Sequence, residues 1–188
     1  MPSLKKDILV LLEEDYEEYN NFIETGTNEG DTIIEFEPYF DKLYTIEYSE
    51  KYYNIAKNKY KGKKIEFILG DSSIVLEKIL PKIKDKSIFF LDGHWSGGDT
   101  GRSNSDCPLN EEITHINNLF LNEAIIIIDD YRLFGIKGCE DWSEINKDKL
   151  LKILNERVKK VYHLDSECSK DDRLIIHINA KEVWKVCY

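Results

Sequence analysis

The sequence predicts a doubly wound α/β fold, a mostly parallel sheet with helices on both faces. Segments of strand character alternate with segments of helical spacing along the chain, which is typical of that fold class. Residues 87–92 and 124–130 are apolar without polar alternation, as expected for strands buried on both faces at the centre of a parallel sheet. Ligands of such sheets bind beyond the carboxyl ends of the strands, near the point where the strand order reverses.

Length and charge set limits on the architecture and on the partners. With 188 residues, 41% of them hydrophobic, the chain is expected to form one domain. Its predicted parts are a lead-in helix at 1–19, a core at 20–130, and a C-terminal helix with an antiparallel strand pair at 131–188. The formal net charge of −10 disfavours nucleic acid as a partner. No stretch reaches the ~20 apolar residues of a membrane span, so we expect a cytoplasmic protein without a membrane partner.

Three strand and helix units follow the lead-in helix. The lead-in helix is predicted because Leu4, Ile8, Leu11 and Leu12 recur at helical spacing with acids between them. Predicted strands lie at 21–25, 42–48 and 64–69, and the predicted helices that follow them lie at 28–40, 49–61 and 73–83.

The second half of the chain adds the two central strands and an antiparallel pair. Pro108 opens a helix between the central strands, and Glu111 and Glu112 in its first turns suit the positive end of the helix dipole. A last helix is predicted at 147–156, and strands are predicted at 158–164 and 173–178. Because the intervening residues are polar and turn-like, the last two strands are expected to be antiparallel.

A glycine-containing turn follows the first predicted strand. Gly26 and Gly30 lie where the backbone must bend and where a ligand could approach a helix N-terminus without meeting a Cβ atom. Glu24 at the lip of the turn disfavours a phosphate and favours a ligand with an amine or another positive centre. A turn that needs glycines only for its own geometry would give the same pattern.

Acidic residues follow the carboxyl ends of several predicted strands. They are Glu24, Glu47, Asp71, Asp92, Asp129 and Asp130. Any one of them could be a helix cap, but six at the same edge of the sheet favour a ligand site.

The last acids of this series predict a metal site. Asp92 and Asp129 end strands that should be neighbours about 4.8 Å apart, with Asp130 next to them. Three crowded carboxylates repel one another, and either protons or a cation must relieve the repulsion. Carboxylate ligands with open positions suit Mg²⁺. A Zn²⁺ site at Cys107 and His115 is the alternative, although the cysteines show no paired metal-ligand spacing and are expected to be reduced thiols.

These motifs resemble a known family. Glu24-Thr-Gly-Thr-Asn-Glu-Gly30, then Glu47, then Gly70-Asp71-Ser72, resembles the cofactor-binding series of class I S-adenosylmethionine-dependent methyltransferases. Leu91-Asp-Gly-His-Trp95 and Ile128-Asp-Asp-Tyr131 are similar to the Mg²⁺-dependent O-methyltransferases of the catechol type and of the macrocin and mycinamicin type, which methylate sugar hydroxyls. The resemblance implies a Rossmann-like sheet of seven strands with an antiparallel last strand, and a cofactor-binding core at 20–130.

The resemblance also implies roles for individual residues. Glu24 and the glycine turn would face the amino acid and sulfonium part of S-adenosylmethionine, Glu47 would accept both ribose hydroxyls, and Asp71 would accept from the adenine amine. The Mg²⁺ ligands would be Asp92, Asp129 and Asp130. The full set of predicted cofactor-binding residues is Glu24, Thr25, Gly26, Thr27, Asn28, Gly30, Glu47, Tyr48, Asp71, Ser72 and Asp92.

The expected reaction is methyl transfer to a hydroxyl group that Mg²⁺ activates, with a nearby base taking the proton. His94 is the candidate base, and an imidazole that only orients Asp92 is the alternative; Asp92 itself could also serve. The lysine that catechol-type enzymes carry shortly after this motif is replaced by Ser96-Gly97.

The acceptor is expected to be a sugar or glycan precursor, because the metal motifs are most similar to those of the sugar-modifying enzymes. A catechol-type small-molecule methyltransferase and a non-catalytic S-adenosylmethionine-binding module are the alternatives, and a homodimer is an expectation from the family. The glycine-rich loop at 95–106 is expected to be either a lid or a solvent loop, and Arg102 on it could clamp an anionic group of the acceptor.

Overall fold

The apolar runs of the chain form the strands of one seven-stranded sheet in the computed structural model, which describes residues 3–95, 97 and 106–182. The strands are β1 (Asn21–Thr25), β2 (Lys42–Glu47), β3 (Ile65–Leu69), β4 (Ser87–Leu91), β5 (Ala124–Ile128), β6 (Val158–Leu164) and β7 (Arg173–Ile178). The helices are α1 (Asp31–Phe36), α2 (Glu50–Lys59), α3 (Ser72–Ile79), α4 (Leu109–Leu119) and α5 (Lys147–Leu154).

The strand order is β3-β2-β1-β4-β5-β7-β6. Strands β1 to β5 pair in parallel, whereas β7 pairs antiparallel with both β5 and β6. This confirms the predicted doubly wound, mostly parallel sheet with an antiparallel last strand. The order reverses between β1 and β4, so the carboxyl ends of these two strands border the crevice in which such sheets bind ligands.

The central strands are buried on both faces, as their composition predicts. Every residue of β1, β4 and β5 is buried. Along β5 the side chains alternate between two cores: Ile125 packs on the face that carries α1 and the N-terminal segment, whereas Ile126 packs on the face that carries α3, α4 and α5. Two separate cores on one sheet require this period of two.

The helices are shorter than the periodicity predicts, and the turns before and after them explain why. Helix α1 begins at Asp31 rather than at residue 28, because Asn28 and Gly30 have the positive φ angles of the preceding turn. Helices α1 and α3 both continue as short 3-10 helices, Glu37–Tyr39 and Leu80–Lys82, each of which contains a proline. Proline removes a backbone donor and ends regular α-helix within a turn.

The prediction of one α-helix in the lead-in segment is wrong. The segment contains two 3-10 helices, Lys6–Leu11 and Tyr16–Glu18, and no α-helix spans 3–19. Of the predicted apolar positions, Leu4, Ile8 and Leu12 are nevertheless buried, whereas Leu11 is 52% exposed. The side chain of Asp15 caps Glu17 instead of continuing the first helix, which is the local bonding through which aspartate competes with helix.

None of the helices in the described part of the chain is both long and apolar enough to cross a membrane.

A truncation in the central strand tests the importance of the shared core. Ile126 is fully buried, so Ile126→Ala is expected to lower the free energy of unfolding by about 2–5 kcal/mol. Chemical denaturation measures the change. Val10→Ala is the control, because Val10 is 80% exposed and its truncation should change stability by less than about 0.5 kcal/mol. Equal effects of the two variants would contradict the two-core architecture.

Candidate functional site

The turn after β1 packs directly against the turn after β4. Gly26 has φ +84°, and a Cβ atom there would lie 2.2 Å from the carbonyl oxygen of Asp92. The Gly26 amide donates a hydrogen bond to Ile46 of β2 at 2.9 Å. Only glycine satisfies both the left-handed conformation and this close approach, so Gly26 holds the carboxyl ends of three strands together.

A pocket of about 310 Å³ opens above this edge of the sheet. Its volume is at the lower end of the range typical of small-molecule sites. Seven of the predicted cofactor-binding residues line it: Gly26, Thr27, Asn28, Glu47, Tyr48, Ser72 and Asp92. His94 also lines it. The pocket therefore lies at the switch point where the strand order predicts a ligand.

Glu47 is held at the edge of the pocket by the backbone. Its Oε2 accepts from the Asn28 amide at 2.8 Å, and its Oε1 accepts from the Ser49 amide at 2.8 Å. Burial raises the pKa of Glu47, and these backbone hydrogen bonds oppose the rise. Each carboxylate oxygen accepts more than one hydrogen bond, so the fixed carboxylate suits a ligand with two adjacent hydroxyls.

Glu24 lies beneath the pocket and is not part of its wall. It is 1% exposed, and its Oε2 accepts from the hydroxyl of Thr45 at 2.6 Å. Burial raises its pKa to about 8, although the Thr45 hydrogen bond opposes the rise. The structure therefore places Glu24 as a support for the turn, and its predicted contact with the ligand stays a prediction.

Three other predicted residues also support the wall from behind. A Cβ atom on Gly30 would lie 2.9 Å from the Cβ of Ala56 in α2, so Gly30 is a packing position. Thr25 is completely buried. Asp71 caps α3, because its Oδ1 accepts from the amide and the hydroxyl of Ser73. Of Asp71 and Ser72, which are both predicted to bind the cofactor, it is Ser72 that lines the pocket.

His94 lies between two of the predicted metal ligands. Its Nδ1 is 3.3 Å from Asp92 Oδ1, and its Nε2 is 3.2 Å from Asp130 Oδ2. The imidazole is 3% exposed. Asp130 has φ +59°, a conformation that aspartate tolerates better than most residues. This bend turns Asp130 towards His94.

The three predicted metal ligands do not form one group. Among the described residues, ligand atoms converge within 4.8 Å in two sets, Asp92 with His94 and Asp130, and Asp129 with Asp130 and Asp172. Asp129 Oδ1 lies 3.4 Å from Arg173 Nε. Asp129 and Asp130 are consecutive residues at a strand end, so their side chains point to different sides. The assignment of Asp129 as a ligand stays a prediction.

Two arginines partly balance these acids. Arg132 Nη1 is 2.5 Å from Asp130 Oδ1 and also donates to Asp172 Oδ2. Burial still raises the pKa of Asp129 to about 6, with the charge of Arg173 opposing the rise. Burial and the neighbouring carboxylates also raise the pKa of Asp92. Desolvated carboxylates that share a site resist full ionisation, and either protons or a cation can relieve their repulsion.

A loop from the second half of the chain covers His94. Trp142 contacts the imidazole edge to face, with ring centroids 4.9 Å apart, and its indole nitrogen donates to Glu140 at 3.1 Å. Glu140 Oε2 lies 3.8 Å from His94 Nε2. Sequence reasoning missed Glu140, Asp172 and Arg173, because they are distant along the chain and lie in no motif. It also missed Arg132, which follows the Ile128-Asp-Asp-Tyr131 motif directly but is not part of it.

The alternative zinc site does not assemble. The ring nitrogen Nε2 of His115 lies 2.8 Å from the carbonyl oxygen of Ser73, and no cluster of possible ligands in the described residues contains Cys107 or His115. Cys107, Cys139 and Cys168 form no disulfide bond among the described residues. Cys187, and most of the predicted lid loop with Arg102, lie outside the described residues.

Comparison with known proteins identifies the fold. No family model matches the sequence, and no curated protein matches it. Among solved structures, the N-methyltransferase NodS from Bradyrhizobium japonicum WM9 matches with a TM-score of 0.60 at 11% identity, covering 94% of each chain. A second NodS structure, in complex with S-adenosyl-l-homocysteine, matches with a TM-score of 0.55 at 10% identity, covering 94% of this chain and 87% of NodS.

Two further solved structures agree. A candidate caffeoyl-CoA O-methyltransferase from Staphylococcus aureus matches with a TM-score of 0.59 at 16% identity, over 95% of this chain and 86% of that one. The fibrillarin pre-rRNA processing protein from Methanococcus jannaschii matches with a TM-score of 0.58 at 18% identity, covering 88% of this chain and 68% of that one. At these identities the likeness shows the fold, which is the one that these methyltransferases have.

A glycine substitution tests whether the pocket needs the close approach of its two turns. Gly26→Ala is expected to lower the affinity for S-adenosylhomocysteine at least about tenfold, because the new Cβ meets the Asp92 carbonyl and the left-handed φ adds strain. Isothermal titration calorimetry measures the affinity. Gly135→Ala is the matched control, since Gly135 has φ +74° with nothing within 4 Å of a Cβ atom. Equal affinities of the two variants would refute this role of Gly26.

The buried Glu24 predicts a pH dependence of stability. Its folded pKa of about 8 lies above the ordinary value of 4.5, so the folded state holds the proton more tightly and loses stability as pH rises from 4.5 through 8. At about 1.4 kcal/mol per pKa unit, Glu24→Gln should remove roughly 3–5 kcal/mol of this loss between pH 5 and 9. Urea unfolding across that range measures it. The exposed Glu17→Gln should leave the pH profile unchanged, and an unchanged profile in Glu24→Gln would show that Glu24 is ionised at neutral pH.

Proposed function

We propose that this protein is a Mg²⁺- and S-adenosylmethionine-dependent O-methyltransferase that acts on a hydroxyl of a sugar or glycan precursor. The observation that carries the proposal is the position of His94. It lines the pocket beside Gly26, Glu47 and Ser72, and its ring contacts Asp92 on one side and Asp130 on the other. The pocket proposed for the cofactor and the cluster of Asp92, His94 and Asp130 thus share one wall.

The residues present fit S-adenosylmethionine. Gly26 leaves the backbone accessible at the turn, and the fixed carboxylate of Glu47 would hold the ribose hydroxyls. The carboxylates of this edge suit the positive charge of the sulfonium and ammonium groups. When bound, the cofactor supplies the methyl group.

The residues present also fit a divalent cation. Asp92 Oδ1 and Asp129 Oδ1 are buried without a hydrogen-bond partner among the described residues, and oxygen donors of this kind are what Mg²⁺ prefers. Asp92 and Asp130 would hold it, with Asp129 as the third predicted ligand. When bound, Mg²⁺ would lower the pKa of the acceptor hydroxyl.

The chain's own residues then position the acceptor and move its proton. Asp92 and Asp130 lie 3.3 and 3.2 Å from the two ring nitrogens of His94. A neutral imidazole donates from one nitrogen and accepts at the other, so His94 would take the proton of the acceptor hydroxyl at its accepting nitrogen once that hydroxyl lies between this nitrogen and the facing carboxylate; Asp92 would be the base if His94 only orients it. Trp142 covers the imidazole and excludes water from its face. Positioning of the reactants would supply much of the rate enhancement.

Two other functions are compatible with this arrangement. A catechol-type enzyme would use the same metal site for a small phenol, and a non-catalytic module would bind the cofactor without transfer. Ionised acids buried together are costly, and a module without chemistry has no use for them, which favours an enzyme. A cytoplasmic location, a homodimer and the absence of a nucleic acid partner belong to the proposal as expectations.

Removing one carboxylate tests the proposal. Asp130→Asn is expected to lower methyl transfer at least about 100-fold, since it removes a metal ligand and a partner of His94, while S-adenosylhomocysteine affinity changes less than about threefold. Transfer of labelled methyl groups to panels of sugars and of catechols, with Mg²⁺ and after chelation, measures turnover. The exposed Asp148→Asn is the control.

The possible outcomes separate the three functions. Metal-dependent labelling of sugars supports the proposal, and labelling of catechols alone supports the catechol-type enzyme. Cofactor binding without transfer to either panel, in the wild-type protein and in Asp130→Asn alike, would support the non-catalytic module. Transfer that survives chelation would refute the metal dependence.

A further inference from the structure

The antiparallel strand β7 brings its first residues to the functional edge of the sheet. Because β7 runs against β5, the N-terminal end of β7 lies beside the C-terminal end of β5. Arg173 therefore contacts Asp129, with Nε 3.4 Å from Oδ1. Asp172, the residue before β7, contacts the turn that follows Asp130. A parallel last strand would carry both residues to the opposite edge of the sheet.

Several hydrogen bonds fix the position of Asp172. Its carbonyl oxygen accepts from the Tyr131 amide at 2.8 Å, and its Oδ1 accepts from the Arg132 amide at 3.0 Å. Its Oδ2 accepts from the Ser166 hydroxyl at 2.6 Å and from the Arg132 guanidinium. The side chain of Asp172 is 0% exposed. The location of its carboxylate is therefore determined by the turn after β5 and by the hairpin between β6 and β7.

Arg132 shares one nitrogen between two carboxylates. Its Nη1 donates to Asp130 Oδ1 at 2.5 Å and also to Asp172 Oδ2. Because an Nη group carries two hydrogens, both contacts form at once. The positive charge of Arg132 is thus divided between Asp130, which is a predicted metal ligand, and a second acid whose position is fixed.

This shared arginine affects how strongly Asp130 attracts a cation. A positive charge beside a carboxylate opposes the approach of a second positive charge, and the opposition is stronger where water is excluded. A second carboxylate that contacts the same guanidinium offsets part of its charge and competes with the first carboxylate for it. Asp172 can therefore act on Asp130 without contacting the cation.

We infer that Asp172 is a positioning residue that acts through Arg132: it withdraws part of the arginine's charge from Asp130 and so keeps Asp130 available to a divalent cation. One oxygen of Asp172 lies within 4.8 Å of oxygens of Asp129 and Asp130, which makes direct coordination the competing explanation. Both oxygens of Asp172 already accept hydrogen bonds, which favours the indirect role. The inference rests on the proposed function, because the cation is the Mg²⁺ of that proposal.

The test measures cation affinity rather than turnover. Mn²⁺, which takes the same oxygen ligands as Mg²⁺, is titrated into the protein, free Mn²⁺ is followed by electron paramagnetic resonance, and Mg²⁺ then displaces the bound ion. Because the chain has a net charge of −10, the titration of Asp130→Asn is subtracted to remove binding elsewhere. Arg132→Gln is expected to raise the affinity for both ions roughly 3- to 10-fold, since it removes a charge that opposes them. Asp172→Asn is expected to lower the affinity by a similar factor.

The double variant separates the indirect role from direct coordination. If Asp172 acts through Arg132, adding Asp172→Asn to Arg132→Gln should change the affinity by less than about twofold. A metal ligand, or an acid that acts only through its long-range charge, would cost as much affinity in that background as in the wild-type protein. Asp171→Asn is the matched control, because Asp171 is the exposed neighbour and loses the same charge; its affinity should stay within about twofold of the wild type. If Asp172→Asn fails to fold, Asp172→Glu, which keeps the charge but moves it relative to Arg132, replaces it in both backgrounds.

The outcomes distinguish this inference from the proposed function. A higher affinity in Arg132→Gln, a lower one in Asp172→Asn and a double variant that matches Arg132→Gln support the inference. Equal losses from Asp172→Asn in both backgrounds would overturn the inference and leave the metal dependence standing. An affinity that does not rise in Arg132→Gln would also overturn it, because a merely structural contact can only weaken the site when it is removed. Wild-type binding of Mn²⁺ and Mg²⁺ no stronger than that of Asp130→Asn would overturn the metal dependence in the proposed function, and the inference with it.

Discussion

The site depends on the contact between the backbone at Gly26 and the peptide of Asp92. Parallel strands β1 and β4 bring their carboxyl ends together at the switch point, but only a residue without a Cβ lets the two turns meet. This contact places the glycine turn on one side of the pocket and the Asp92 to His94 turn on the other. The predicted cofactor-binding residues and the acid cluster therefore share a wall because of one steric constraint.

Electrostatics is the second organising feature of this edge of the sheet. Glu24, Glu112 and Asp129 are buried there and Asp92 is partly buried, and all four have raised pKa values, because burial disfavours the charged form of a carboxyl group. Arg132 and Arg173 balance part of the charge. Such a concentration of desolvated acids costs folding free energy, and functional sites are where proteins tolerate that cost. A cationic ligand would offset this cost in folding free energy when it binds.

The sheet was predictable from sequence because uninterrupted apolar runs have few other solutions. β1, β6 and β7 lie at the predicted bounds, and the acids at strand ends mark the functional edge. What could not be predicted depends on side-chain direction and on distant residues. The capping role of Asp71, the inward turn of Glu112, and the contact of Asp129 with Arg173 all follow from packing that no local pattern encodes. The lead-in segment buries most of its predicted apolar positions but does not form the predicted α-helix, because tertiary packing can override helix propensity.

The central claim is that the pocket at the switch point binds the methyl donor. Calorimetric titration of the wild-type protein with S-adenosylhomocysteine, with Mg²⁺ and again after chelation, tests it most directly. The account predicts micromolar affinity in both titrations, because the predicted cofactor-binding residues are separate from most of the predicted metal ligands. It also predicts a weak, separate binding of Mg²⁺ at the acids. Absence of binding in both titrations would contradict the account and leave the glycine turn with a purely structural role.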